Sequence, residues 1–456
     1  MILTVSHLVA PWAAMGGALW VAASLAPHAR QRVLHAAALT ALTGWPMMAL
    51  AALLLPTLSP DTWPPLPDEA RYVAEAQRVA DAWLLGQFPD LTARTWLGSL
   101  HTGYQRVGAV VAMLGLGGQR WPLVLLNALL LPVAGALAMA LAEVLREEHD
   151  APPEATATPP PHFAAAALLA CYPGLACHAS FALREILHLI AMMALLLLAI
   201  RGLDARHGPT RHSASSSALA LALTALAAWW LFSLRSYTCL LAMLALGLWW
   251  LVTVRRQPLA PWLGAGLMAA LLLTFHPASG RILAQMADTL STVTLGTLDT
   301  PSAVLGRLAA GLPRLLWAPY PWAATATTPD PTLLSVPAAA WQALLIWPAV
   351  LLAWCQRPAA RRGRAQLINL LMAFHAVSLL LTFAGDAPRH MLLTATLAAV
   401  LALGSQPAMQ SGTLLSMAPT PPTAPRQPLP PALHAYFAAL VAFMLVHSSL
   451  HALGMR

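Results

Sequence analysis

The sequence predicts an all-α, polytopic membrane protein with about 12–13 transmembrane helices and two extracytoplasmic loops that carry amphipathic helices. Three observations lead there. Of 456 residues, 59% are hydrophobic and only 9% charged, too little charge to cover the surface of a soluble protein this long. Apolar stretches of about 20 residues recur along nearly the whole chain, the length that crosses a bilayer as a helix. These stretches are continuous rather than alternating, which excludes a β-barrel.

The spans read from hydropathy are 6–26, 36–56, 121–145, 163–181, 185–201, 216–233, 236–254, 262–277, 336–355, 366–384, 390–405 and 432–453, with 103–117 a thirteenth candidate. The chain from 1 to 456 forms a single transmembrane domain. Its basic residues are all arginine, and the net charge of +8 falls largely in short interhelical loops, so it is not a nucleic-acid signal. Loops 27–35, 201–212, 255–257 and 357–364 are basic and belong on the cytoplasmic side. That puts 58–102, the turn 182–184, the turn near Arg235, the loop 278–335 and the turn 385–389 outside. The parity holds if 103–117 does not fully cross but lies at the interface or re-enters. Segments 146–162 and 406–431 read as flexible Pro-rich cytoplasmic linkers. The first apolar stretch lacks a basic n-region and is followed by Arg30 and Arg32, so it is expected to stay as a helix. Cys171, Cys177, Cys239 and Cys355 match neither a zinc nor a redox spacing and read as small core residues. The arginine-rich, Ala/Leu/Pro-rich composition points to a bacterial cytoplasmic (inner) membrane.

In the first external loop, PDEARYVAEAQRVADAWL puts Val73, Ala76, Val79, Ala80, Trp83 and Leu84 on one helical face, an amphipathic helix expected to lie along the membrane surface. Pro67, Asp68 and Glu69 make a favourable start, because acidic groups complement the positive end of the helix dipole. The second external loop, 278–335, holds ILAQMADTLSTV and the aromatic patch LPRLLWAPYPW.

The candidate chemistry sits on the external side. Asp68 and Glu69, with Arg71 and Tyr72 behind them, either cap the helix or act as general base toward an acceptor hydroxyl. Arg184 and Glu185 lie at the junction of two apolar spans, where charge is expensive, and either pair with each other or serve function. Arg235, Arg314 and Arg389 either anchor the interface or hold a lipid phosphate through their bidentate forks. Asp386 is placed to pair with Arg389. His447 and His451 are spaced i, i+4, but no carboxylate or Cys is near, so they read as packing and no metal site is assigned. The sequence shows no phosphate-binding glycine loop, Walker motif or nucleophile elbow, so it gives no support to ATP-driven transport.

The order of these features resembles the GT-C superfamily of integral membrane glycosyltransferases, including protein O-mannosyltransferases and lipid A aminoarabinose transferases. The resemblance rests on PDEARYVAEAQRVA, TGYQRVGAVVAMLGLGGQRW, LVLLNALLLPV, ACYPGLACHASFALRE, GDAPRHMLLTATLAAVLALG and the element APYPW, and covers about residues 58–405. It implies a GT-C-like fold and an inverting transfer of a sugar from a polyprenyl-phosphate donor to a glycan, lipid or protein acceptor outside the cytoplasm. It also implies Asp68 or Glu69 as catalytic base, Asp68 being favoured because it opens the helix, and Glu185 as the second acidic position. Tyr72, Tyr104, Arg71, Arg184, Arg235, Arg389 and His390 would line the donor-phosphate and substrate site. A divalent cation could bridge, though no ligand cluster demands one. The chain departs from the family in placing its first acidic residue after the second span and in lacking a proline after Arg389–His390. The rival class is a non-enzymatic protein, such as a lipid-linked glycan flippase, an export subunit or a transporter; a polysaccharide polymerase is a further enzymatic alternative.

Overall fold

The computed structural model describes residues 2–58, 67–88, 102–113, 120–147, 163–207, 214–254, 311–313, 315–317, 336–356, 358–382, 387–405 and 430–452. The expected span 262–277, Arg314, Asp386, nearly all of the loop 278–335 and the linkers 148–162 and 406–429 lie outside the described residues.

Every regular element among the described residues is helical. The helices are α1 (Ile2–Leu25), α2 (Arg30–Leu58), α3 (Pro67–Leu84), α4 (Thr102–Val111), α5 (Trp121–Glu147), α6 (Phe163–Ala170), α7 (Pro173–Ala179), α8 (Glu185–His207), α9 (Ala214–Leu234), α10 (Ser236–Trp249), α11 (Val336–Gln356), α12 (Arg364–Thr382), α13 (Ala387–Gly404) and α14 (Pro431–Ala452). Among the described residues four stretches, Pro27–Leu54, Trp121–Glu147, Glu185–Gly202 and Val336–Gln356, are long and apolar enough to cross a membrane, and six shorter apolar helical stretches accompany them.

Helix α5 is the pillar. From Leu131 to Arg146 every residue is buried, and α1, α2, α8 and α13 all pack on it. Small residues bring the backbones together, as they do where lipid offers no hydrophobic drive between helices. A Cβ at Gly135 would collide with Thr40, one at Gly44 with Leu131, and one at Gly404 would lie 2.8 Å from the Ala142 carbonyl oxygen. Polar side chains cluster at the two ends of α5. At its C-terminal end Glu143 pairs with Arg32 (2.8 Å) and Arg146 (3.1 Å), Glu147 with Arg201 (2.6 Å), and Arg364 donates to the Val144 carbonyl (2.6 Å). Three of the basic segments read as cytoplasmic therefore converge on one end of one helix. Arg120, at the other end, is about 34 Å away along the axis, close to the ~30 Å hydrocarbon thickness.

Two prolines, Pro132 and Pro173, interrupt the backbone bonding of expected spans, and the structure meets each with a tryptophan. Pro132, inside α5, has no N–H for the carbonyl of Ala128. The Trp45 indole of α2 donates to that carbonyl instead, at 2.9 Å. The span read as 163–181 is broken into α6 and α7 at Tyr172, whose backbone is extended (φ −63°, ψ 112°) because Pro173 disfavours helical geometry in the residue before it. The Tyr172 N–H bonds to the Leu169 carbonyl (3.2 Å), and the Leu168 carbonyl takes the Trp341 indole proton at 3.0 Å. In a bilayer a backbone carbonyl without a donor is costly, so each indole stabilises a break that a water molecule would otherwise satisfy.

Helix α3 forms over the residues its periodicity predicts, but its apolar face has a protein partner. Val79 and Ala80 pack against Ala109 of α4, with Trp83 beside them, and Gly108 of α4 leaves room for Ala76. Leu84, assigned to that face, is exposed instead, because it begins the turn at Leu85–Gly86, where Gly86 takes a positive φ of 70°. Cys177 and Cys239 are buried as expected of core residues, whereas Cys355 is exposed near the end of α11.

Removing either indole donor while keeping an aromatic ring isolates the hydrogen bond. Trp45→Phe and Trp341→Phe should each destabilise the protein by about 1–2 kcal/mol. Trp12→Phe, whose indole has no acceptor among the described residues, should leave the midpoint of thermal unfolding in detergent unchanged.

Candidate functional site

The polar end of α5 organises a turn. Residues 180–184 join α7 to α8, and three side chains from elsewhere hold its backbone. Glu69 of α3 accepts the Ala182 N–H at 2.7 Å. Arg120, just before α5, donates to the Ser180 carbonyl at 3.1 Å and grips Glu69 Oε1 through Nε (2.8 Å) and Nη2 (2.6 Å). Asn127 of α5 donates through Nδ2 to the carbonyls of Phe181 (2.8 Å) and Leu183 (3.0 Å). Glu69 and Asn127 are fully buried. Burial pushes the Glu69 carboxyl above its usual range, and Arg120 and the Ala182 N–H only partly pull it back.

The turn delivers Arg184 and Glu185 to the interior. Glu185 forms its ion pair with Arg235, through Nη2 at 3.0 Å. The mutual pairing of Arg184 with Glu185 expected as one alternative does not occur, because adjacent residues at a helix start point about 100° apart. Arg184 stacks on the Tyr72 ring at 5.7 Å and makes no ion pair among the described residues; its Nε and Nη1 are buried without a hydrogen-bond acceptor there. Burial pulls its guanidinium below the ordinary value, yet arginine stays protonated, so the site retains a buried cation. Arg235 lies within electrostatic reach of it. Tyr104 of α4 is buried edge-on to Tyr72, with ring centroids 5.0 Å apart. Burial also pushes the Tyr72 phenol above its ordinary value, against the pull of Arg184.

Arg235 is the one non-helical residue between α9 and α10, in extended conformation (φ −159°). A second tether holds it. Thr238 donates its hydroxyl to the Arg235 carbonyl (2.9 Å), which leaves the hydroxyl oxygen to accept from His188 Nε2–H (3.0 Å). His188 lies one turn beyond Glu185, so a single face of α8 holds Arg235 by both its side chain and its backbone.

The residues read from sequence divide accordingly. The structure brings together Glu69, Tyr72, Tyr104, Arg184, Glu185 and Arg235. Asp68 is half-buried one turn before Tyr72 and within its electrostatic reach, so it borders the cluster. Arg71 is exposed on another side of α3. Arg389 and His390 lie in the first turn of α13, but their side chains fall outside the described residues. Sequence reading missed Arg120, His188, Thr238 and His375 as site residues. Arg120 had a signal, being a lone cation beside an apolar span; the threonine and histidines, in apolar runs, had only the rule that polar groups inside spans default to function.

No protein-family model matches the chain, nor does any curated protein or solved structure. Fold and site together define a helical protein with helices of membrane-crossing length, whose polar centre is buried at one end of its central helix.

Because Glu69 and Arg120 are buried and share several bonds, breaking the pair should be strongly destabilising and non-additive. Glu69→Leu and Arg120→Leu should each cost about 3–5 kcal/mol. The double variant should cost less than their sum by more than about 1 kcal/mol, as measured by a double-mutant cycle on unfolding in detergent.

Proposed function

We propose that this chain is an integral membrane glycosyltransferase of the GT-C type. It moves a sugar from a polyprenyl-phosphate donor to a glycan, lipid or protein hydroxyl on the extracytoplasmic side of a bacterial inner membrane. One observation carries the reading: Arg184 is a buried guanidinium with no ion pair among the described residues, beside the Arg235–Glu185 pair and the Tyr72–Tyr104 rings. A buried cation without a counter-charge is expensive, and an anionic ligand removes the cost. Arg184 and Arg235 against Glu185 leave one net positive charge, which a phosphodiester neutralises.

The residues then divide the labour. Asp68, half-buried at the border of the cluster, takes the proton of the acceptor hydroxyl as its oxygen attacks the anomeric carbon. The bond from that carbon to the phosphate oxygen breaks with inversion, and the electron pair leaves on the lipid phosphate. That phosphate gains a negative charge in the transition state, and Arg184 and Arg235 stabilise it there. Glu69 acts as a positioning residue through Arg120 and the turn, not as the base, because it is fully buried and its Oε1 holds Arg120 and the Ala182 N–H. The side assignment is supported by the convergence of Arg32, Arg201 and Arg364 on the opposite end of α5.

A second reading, a non-enzymatic handler of lipid-linked glycans, is favoured by the polar groups that continue into the helices below Arg235, among them His188, Thr238 and His375.

Reconstituted protein given a panel of radiolabelled polyprenyl-phosphate sugars separates the two. Asp68→Asn should lower transfer about 100-fold or more with donor binding retained. Arg184→Gln should weaken donor binding about tenfold. Binding without any transfer by the wild type would favour the handler, and absence of binding would sink both.

A further inference from the structure

We propose that the anion site at Arg184 and Arg235 extends into the helical core as far as His375, and that His375 Nε2–H is a further hydrogen-bond donor to the ligand's phosphate oxygens. The inference rests on the phosphate-binding reading above and deepens it.

His375 lies in the middle of α12, fully buried, in a helix that packs on α10 and α13. Its Nδ1 is 2.7 Å from the Thr394 hydroxyl of α13, and its Nε2 is buried with no hydrogen-bond partner among the described residues. Thr394 decides the tautomer. Thr396, two residues on, donates its hydroxyl back to the Leu392 carbonyl, whereas Thr394 has no bond among the described residues except that to His375. The Thr394 proton therefore goes to Nδ1, and the ring's own proton sits on Nε2. That N–H lies within electrostatic reach of Arg235, whose Nε is also buried without an acceptor among the described residues.

A chain of donors results: Nε and Nη1 of Arg184, Nε of Arg235 and Nε2 of His375. All belong to buried side chains and come from three separate segments: the 180–184 turn, the α9–α10 junction and α12. Buried donors are nearly always satisfied, and four of them on helices and junctions that pack against one another call for a ligand rich in acceptors and negative charge. A phosphate group meets both needs, whether it comes from a lipid headgroup or from free phosphate. Position favours the lipid, since a donor inside a helical span reaches a headgroup drawn below the membrane surface.

The test uses full-length protein in nanodiscs, titrated with geranylgeranyl phosphate and, separately, with inorganic phosphate. The readouts are tryptophan fluorescence and the ¹⁵N signals of labelled histidine. The His375 Nε2 signal, assigned by its loss in His375→Gln, should move on addition of ligand. His375→Leu should weaken binding roughly tenfold, and His375→Gln, whose amide N–H replaces the donor, should stay within about threefold of wild type. An effect on geranylgeranyl phosphate alone identifies the lipid headgroup; an effect on both probes identifies phosphate from either source; each supports the proposal. Should His375→Leu fail to fold, the Gln variant and the ¹⁵N signal still decide. Unchanged affinity in the His375 variants with an unmoved Nε2 signal, while Arg184→Gln weakens binding, overturns the role of His375 and leaves the proposed function standing. Absence of binding of both probes to the wild type overturns both.

Discussion

The Glu69 carboxylate, buried between the Arg120 guanidinium and the Ala182 N–H, ties together the external helix α3, the start of α5 and the turn into α8. The turn itself has no regular structure, and its backbone groups are buried at the end of the helical core. Without Glu69, Arg120 and Asn127, the carbonyls of Ser180, Phe181 and Leu183 and the N–H of Ala182 would have no partners in an environment poor in water. Their satisfaction holds the turn in one conformation, and that conformation carries Arg184 and Glu185 inward. A buried ion pair of this kind contributes little net stability over an apolar replacement, because its attraction is offset by desolvation. Its value here is in fixing geometry.

The same logic separates the two ends of α5. Between Asn127 and Glu143 the helix reads LLLPVAGALAMALA between residues 129 and 142, with no ionisable group. Charge is thereby confined to two layers that differ in kind. The lower layer pairs Arg32, Arg146 and Arg201 with Glu143 and Glu147, so its charges largely meet opposite charges. The upper layer satisfies Glu69 completely at one oxygen but leaves Arg184 without an ion pair among the described residues. The lower layer suits a structural and topological role, the upper a ligand. His188 and Thr238 reinforce the contrast, since they spend their hydrogen bonds on holding Arg235 in place rather than on neutralising it.

Much of the fold was legible in one dimension because hydropathy is a local property. Apolar runs of membrane-crossing length, the amphipathic pattern of 67–84 and the arginines of the short loops each report on their own segment. The described helices α1, α2, α5, α8 and α12 fall close to the ranges that hydropathy outlined. The break at Tyr172–Pro173 was also encoded locally, but an apolar window averages over a proline and conceals it. Leu84 was misassigned for a similar reason: periodicity on paper carries no sign that the helix ends at Leu84, with the turn at Leu85–Gly86 right behind it.

For the site, sequence determined which residue types were anomalous: Asp68 and Glu69 at a helix start, Arg184 and Glu185 between apolar spans, Arg235 at a helix junction. A charge in an apolar run costs free energy wherever the chain goes, so its presence is visible without a structure. Only the tertiary structure decided which of them meet. Glu69 finds Arg120 across 51 residues, Glu185 finds Arg235 across 50, and His188 finds Thr238 across 50. Partner choice depends on how helices pack, and that packing is set by small residues and shape along whole faces. No local pattern of charge contains this information.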